Sequence, residues 1–346
     1  MPHPTFPTRR PVHPSRRALL AAALGLGATG CSPLVVPMGP PVGEPALASD
    51  ALVMADGARL PLHAWLPDGA PRAVIVALHG FNEYSRSFVA DAAPGFNAAG
   101  VALYAFDQRG FGAGPHRGIW PGAATLAADA TAAARLIARR HPGTPITLMG
   151  ESMGGAVLIL AETSADPPPV QGYILLAPAV WGRATMPGIA RFFLDLTART
   201  VPAVAVSSSA PPGYAPTNNY AAWSRWSRDP LLIRATRFDA VAGLVALMDD
   251  AVAAAPRFGA RRVPSLILYG AGDRIVPQGS TRAVLRGLPA GGRQRIGYYS
   301  GGRHMLLRDT GSPVVMRDIL TWLETPDAAL PSGADATAAR WLAEEG

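Results

Sequence analysis

Leu148-Met149-Gly150-Glu151-Ser152-Met153-Gly154-Gly155 is the stretch on which the reading of this chain turns. The apolar run Ile146 to Met149 has strand character and stops at Gly150; a helix-compatible run, Ala156 to Ala161, begins just after Ser152. Gly-x-Ser-x-Gly between a strand and a helix is the pattern of a nucleophile elbow, a turn that holds a serine hydroxyl clear of the sheet edge. Such a turn strains the serine backbone and tolerates no bulk two residues to either side, hence the glycines. The pentapeptide alone is weak, because a chain with 37 glycines yields such strings by chance. The flanking strand and helix, and two residues far downstream, give it weight.

Outward from the elbow the chain alternates. Leu52 to Trp65 predicts two strands about an Asp56-Gly57 turn. Val74 to Leu78 is a continuous apolar run, as in a strand buried on both faces. A helix is expected over Ser85 to Ala99, a strand over Val101 to Phe106, and a helix over Thr125 to Arg140, with Leu126, Ala130, Ala133 and Ile137 on one face. After the elbow come a strand at Tyr173 to Ala177 and, later, strands at Ser265 to Tyr269 and Arg295 to Tyr299. Helices near Thr281 to Leu288 and Pro313 to Leu323 accompany them. This rhythm specifies an α/β fold, a mostly parallel central sheet flanked by helices.

The rhythm breaks at Pro178. Residues 178–262 read as a helical cap inserted into a core formed by 46–177 and 263–325, with 326–346 as a tail holding at most a short helix around Ala334 to Glu344. Within the cap, Ile189, Phe192, Phe193 and Leu196 form one apolar stripe, and Phe238, Val241, Val245, Met248 and Val252 another. Most of these residues are expected to pack the cap onto the body, and a few to line an acyl-chain pocket. The segment Pro202 to Pro216 and the aromatics Tyr220, Trp223 and Trp226 lie between them.

A serine hydroxyl is a poor nucleophile at neutral pH; it needs a base within hydrogen-bond reach and an acid to orient that base. Asp273, in Gly270-Ala-Gly-Asp273, follows the strand 265–269, and His304, in Gly301-Gly-Arg-His304, follows the strand 295–299. Both positions fall at the sheet edge that carries Ser152, in the order Ser, Asp, His. Asp273 alone reads as a turn residue and His304 alone as a loop histidine. The remaining histidines lie elsewhere: His3 and His13 in the N-terminal segment, His63 in an early strand, His79 in the loop after the strand 74–78, and His116 and His141 in other loops. Ser152, Asp273 and His304 are therefore the expected catalytic set. The oxyanion hole is expected from the backbone N–H groups of Met153 and of Phe81, in His79-Gly80-Phe81. His79 is expected to brace that loop, and Asp107, Arg109 and Asp129 to brace the loops beneath the site.

Taken together, His79-Gly-Phe-Asn-Glu-Tyr-Ser-Arg86, Asp107-Gln-Arg-Gly-Phe-Gly112, Gly150-Glu-Ser-Met-Gly-Gly155, Asp273-Arg-Ile-Val-Pro277 and His304-Met-Leu-Leu307 resemble the monoacylglycerol lipase/lysophospholipase branch of the α/β-hydrolases. The resemblance implies a serine esterase acting on single-chain lipid esters, with a cap over the acyl pocket. Tyr84 and Glu151 stand where that branch usually has histidine, and Gly114 where it commonly has serine. On this reading the reaction needs no metal or organic cofactor, and the partner is a small lipid or ester substrate. The rival readings are a peptidase or amidase, an acyltransferase, and a catalytically silent envelope binding protein.

Composition narrows the remaining classes. All 31 basic residues are arginine, against 24 acids, for a formal charge of +7. Four of the arginines and none of the acids lie in residues 1–30; without that segment the balance is +3. No basic stripe with interleaved aromatics appears, so nucleic acid is not an expected partner, and the seven histidines show no metal-ligand spacing. Arg9, Arg10, Arg16 and Arg17 precede the apolar run Ala18 to Gly30, the layout of a secretory signal. Ala28-Thr29-Gly30-Cys31 resembles a bacterial lipobox, with Cys31, the only cysteine, as the lipidated residue and a Pro-rich tether over 31–45. The expectation is a chain held at a bacterial envelope membrane through Cys31; the alternative is ordinary signal cleavage and release to the periplasm.

Overall fold

A computed structural model describes residues 32–207 and 215–344. The signal reading of residues 1–30 and the lipidation of Cys31 lie outside the described residues.

Eleven strands follow one another along the described chain: β1 (Ala46–Leu47), β2 (Ala51–Val53), β3 (Arg59–Trp65), β4 (Ala73–Leu78), β5 (Val101–Phe106), β6 (Ile146–Glu151), β7 (Gly172–Leu176), β8 (Ala205–Ser207), β9 (Ala235–Arg237), β10 (Ser265–Gly270) and β11 (Gln294–Tyr299). Nine form one sheet in the order β1-β2-β3-β5-β4-β6-β7-β10-β11. From β5 to β11 every pairing is parallel, and β1, β2 and β3 add an antiparallel margin. Strands β4, β5, β6, β7 and β10 are buried along their whole length, which is why they read as unbroken apolar runs. One core lies on the side of helices Ala123–Arg140 and Met153–Thr163, and a second under Ser85–Val89, Ala93–Ala98 and Ser312–Glu324.

The topology puts the chemistry at one edge. β4 sits between β5 and β6, so the chain leaves β4 in one direction and returns on its other side, opening a crevice beyond the carboxyl ends of the strands. Register aligns those ends: Leu78 pairs with Gly150, Glu151 with Leu176, and Gly270 with Tyr299.

Several expectations change. The helix expected over Ser85 to Ala99 is two short helices, Ser85–Val89 and Ala93–Ala98. Pro94 has no N–H to continue the first and its ring crowds the preceding turn, so it opens the second instead. The tail forms a helix, Ala334–Ala343, whose Trp341 stacks on Tyr298 of β11 at 4.4 Å, so it belongs to the body. The inserted segment contains an antiparallel ribbon of β8 and β9 besides its helices. Its two stripes part company. Helix Phe238–Ala254 buries Val245, Leu247 and Met248 in the main core, whereas on helix Gly188–Thr200 the residues Ile189, Phe192, Phe193 and Leu196 are 42–65% exposed. Among the described residues, the Ile189 to Leu196 stripe does not pack the inserted segment onto the body, because the helix turns Leu194 and Ala198 inward instead.

The Pro-rich segment is extended, as its composition predicts, and it lies against the body. Leu34 N–H donates to Asp239 (3.1 Å), Val36 N–H to the Trp120 carbonyl (3.0 Å) and Met38 N–H to Thr125 Oγ1 (3.0 Å).

Candidate active site

Ser152 stands between the end of β6 and the helix Met153–Thr163, with φ 53° and ψ −114°, a left-handed conformation that costs a non-glycine residue roughly 1–3 kcal/mol. Close packing enforces it. A Cβ added at Gly150 would lie 2.5 Å from the Gly154 carbonyl carbon, and one at Gly154 would run into the Leu78 carbonyl. Ser152 N–H donates to Leu176 O at the end of β7, and Ser152 O accepts from Ala179 N–H, both at 2.9 Å. The turn is thus fixed to the neighbouring strand while Ser152 stays in the wall of a cleft.

The second pair is assembled from the next two strand ends. His304 Nδ1 is 2.8 Å from Asp273 Oδ2, and both side chains are buried. Asp273 Oδ1 accepts from the Ile275 and Val276 N–H groups at 2.7 and 3.2 Å, so neither carboxylate oxygen is idle. The loops that carry the pair are zipped together by Ala271 N–H to Tyr299 O (2.9 Å) and Gly272 N–H to Gly302 O (2.8 Å). Burial pushes the His304 imidazole down; Asp273, helped by Glu151 and Glu83, more than offsets this and leaves its pKa above the ordinary value.

A cleft of about 470 Å³ holds both Ser152 and His304 in its wall, with Gly80 and Phe81 on one side and Trp223 and Trp226 among its apolar surfaces. A larger groove of about 730 Å³ lies over helices Ala123–Arg140 and Met153–Thr163 and shares no residue with this cleft; it contains none of the expected catalytic residues. Among the described residues, neither the Phe81 nor the Met153 N–H donates a hydrogen bond within the protein, so both remain available to an incoming oxygen.

His79 braces the loop, as expected. Its Nδ1 donates to Gly80 O (2.8 Å), which leaves Nε2 to accept from Gln108 N–H (3.0 Å). Burial lowers its pKa and favours the neutral ring that this arrangement requires. Asp107 accepts from Ser85 N–H (3.0 Å) and Ala113 N–H (2.9 Å), and Arg109 bridges Asp56 and Asp129 at 2.6 and 2.7 Å. All three are structural braces.

A buried ion cluster that the sequence did not disclose lies beside the elbow, with Glu83 and Glu151 in the wall of the cleft. Arg308 donates to both oxygens of Glu83 (2.7 and 3.3 Å), to Glu151 and to Ser87 O (3.0 Å), while Trp226 Nε1 donates to Glu83 at 2.5 Å. Glu83 comes from the loop after β4, Glu151 from the end of β6, and Arg308 from the loop of His304. One guanidinium thereby ties together the three segments that frame the cleft. No periodicity marks a pair separated by 225 residues. The only sequence signal was the presence of three charges next to three expected site loops.

Residues 69–311 match the family described as Hydrolase_4: Serine aminopeptidase, S33. The chain is 28% identical to a monoacylglycerol lipase of Mycolicibacterium smegmatis over 276 residues, 77% of this chain and 93% of the relative. It is 27% identical to a monoglyceride lipase of Homo sapiens, covering 75% and 84%. Among solved structures, a soluble variant of the Saccharomyces cerevisiae monoglyceride lipase superposes with TM-score 0.66 at 19% identity over 85% of this chain and 98% of that one. The Paleococcus ferrophilus monoacylglycerol lipase gives 0.59 at 24%, over 76% and 98%. The strand order, the turn at residue 152 and a match spanning well over half of the sequence agree, and the chain belongs to the Hydrolase_4 family of α/β-hydrolases.

Proposed function

We propose that this protein is a serine hydrolase of carboxylic esters, acting on monoacylglycerols or lysophospholipids through Ser152, His304 and Asp273. The observation that carries the reading is the shared cleft: a strained serine and a carboxylate-oriented histidine, from loops far apart in the sequence, face one space. Ser152 Oγ attacks the ester carbonyl as its proton passes to His304 Nε2. Asp273 holds the Nδ1–H tautomer and stabilises the imidazolium. The Phe81 and Met153 N–H groups receive the negative oxygen of the tetrahedral intermediate, where one such donor is typically worth ~10²–10³ in rate. His304 then protonates the departing alcohol, and water cleaves the acyl-enzyme by the same steps in reverse roles.

The apolar walls of the cleft, with Trp223, Leu244, Ile275 and Met305, suit a single acyl chain, and the lipase names of the relatives support that class of substrate. The family description names an aminopeptidase, so an amidase is the second reading. A panel of monoacylglycerols, lysophospholipids, short esters and aminoacyl amides tests both, with the esters expected to turn over faster. Ser152→Ala and His304→Ala are each expected to lower ester turnover by a factor on the order of 10⁴–10⁶; turnover within tenfold of wild type in either variant would overturn the assignment.

The same proposal includes attachment to a bacterial envelope membrane through lipidated Cys31, supported by the basic-then-apolar layout of residues 9–30. Mass spectrometry of the mature N-terminus tests it, and an unmodified end sinks it.

A further inference from the structure

Arg308 is one cation between two buried acids, and the two are not served alike. Glu83 receives both arms of the guanidinium and the Trp226 N–H. Glu151 receives one arm on Oε1, and among the described residues its Oε2 has no partner although the side chain is only 1% exposed. A single guanidinium neutralises one carboxylate; a second buried carboxylate at the cleft wall is destabilised unless it finds another positive group. The group that can be supplied there is a proton.

Resting on the hydrolase reading above, we propose that Glu151 is a positioning residue that makes the site responsive to pH. Its carboxyl takes up and releases a proton beside Arg308, and its charge sets how readily His304 accepts the proton of Ser152. The titratable and charged groups around it are Arg308, Glu83 and His304, with His79 beyond Glu83 and Asp273 beyond His304. Burial and the Glu83 charge outweigh Arg308 and push the Glu151 carboxyl up to about 7. Burial also works against the Glu83 carboxylate, but Arg308 and Trp226 keep it below the ordinary range. When Glu151 is ionised, its field stabilises the His304 imidazolium, so the base is stronger and stays protonated to higher pH. When Glu151 is neutral, the imidazolium loses that support. The two groups titrate as a coupled pair.

The test is the pH dependence of covalent labelling of Ser152 by a fluorophosphonate, which needs no knowledge of the natural substrate. Glu151→Gln keeps the shape and removes the charge. Its acid-limb midpoint is expected to fall by about half a pH unit or more, with a plateau rate about 3- to 10-fold lower. Glu151→Asp, which keeps the charge, is expected to hold its midpoint nearer to wild type. A Glu151→Gln midpoint equal to that of wild type overturns the role of Glu151 alone. Absence of labelling at Ser152 in wild-type protein overturns the hydrolase reading and this inference with it. If Glu151→Gln does not fold, infrared difference spectra of the wild-type protein decide. A buried carboxyl gaining its proton in step with the loss of labelling supports the proposal, and no such band across the acid limb overturns it.

Discussion

Helices Gly188–Thr200 and Phe238–Ala254 sit in the same insertion and carry the same kind of apolar stripe, yet the structure uses them in opposite ways. The second lays Val245, Leu247 and Met248 into the main core. The first holds Ile189, Phe192, Phe193 and Leu196 out to solvent. Periodicity establishes that a helix has an apolar face; it does not say what that face meets. Burial depends on what the rest of the chain brings to the helix: Phe238–Ala254 meets the core with residues of its stripe, whereas Gly188–Thr200 turns Leu194 and Ala198 inward and leaves its stripe outside.

The largest way to probe this contrast is Leu247→Ala. Leu247 is fully buried, and its truncation is expected to cost about 2–5 kcal/mol, read as a lower urea midpoint with an unchanged slope. A loss below about 0.5 kcal/mol would place this helix with its exposed counterpart. Gly243→Ala sharpens the comparison. Alanine ordinarily stabilises a helix interior relative to glycine, but here the added methyl would press into the Trp120 ring. Overpacking is expected to win and cost about 1–3 kcal/mol in urea denaturation; a more stable variant would show that the contact yields. The smallest effect belongs to Phe192→Ser and Phe193→Ser, each expected to change stability by no more than about 0.5 kcal/mol and to leave hydrolysis of a short soluble ester unaltered. A loss of more than about 2 kcal/mol would mean that the stripe is covered.

The sheet was legible because its signals are local. Unbroken apolar runs mark β4, β5, β6, β7 and β10, and Ser152 and Asp273 follow two of these runs where glycines announce a turn, while His304 follows the more mixed strand β11. The break in the helix at Pro94 was legible too, since that residue stands in the written run, but the expectation passed over it. Other features could not be read. The cluster of Glu83, Glu151 and Arg308 joins positions 157 and 225 residues apart, and nothing in the order of residues says which charges meet. Which face of Gly188–Thr200 turns outward depends on the surfaces that the fold brings beside it, and composition does not reveal those.

The strap of residues 34–39 has a geometric consequence. Because its backbone is fastened from Asp239 across Trp120 to Thr125 and Asp56, the way out of the fold towards the first residues is set, not free to wander. Leu34 therefore sits at a constant spot beside the first turn of helix Phe238–Ala254. The bearing of the cleft relative to that spot is built into the body like the angle of a bracket on a wall.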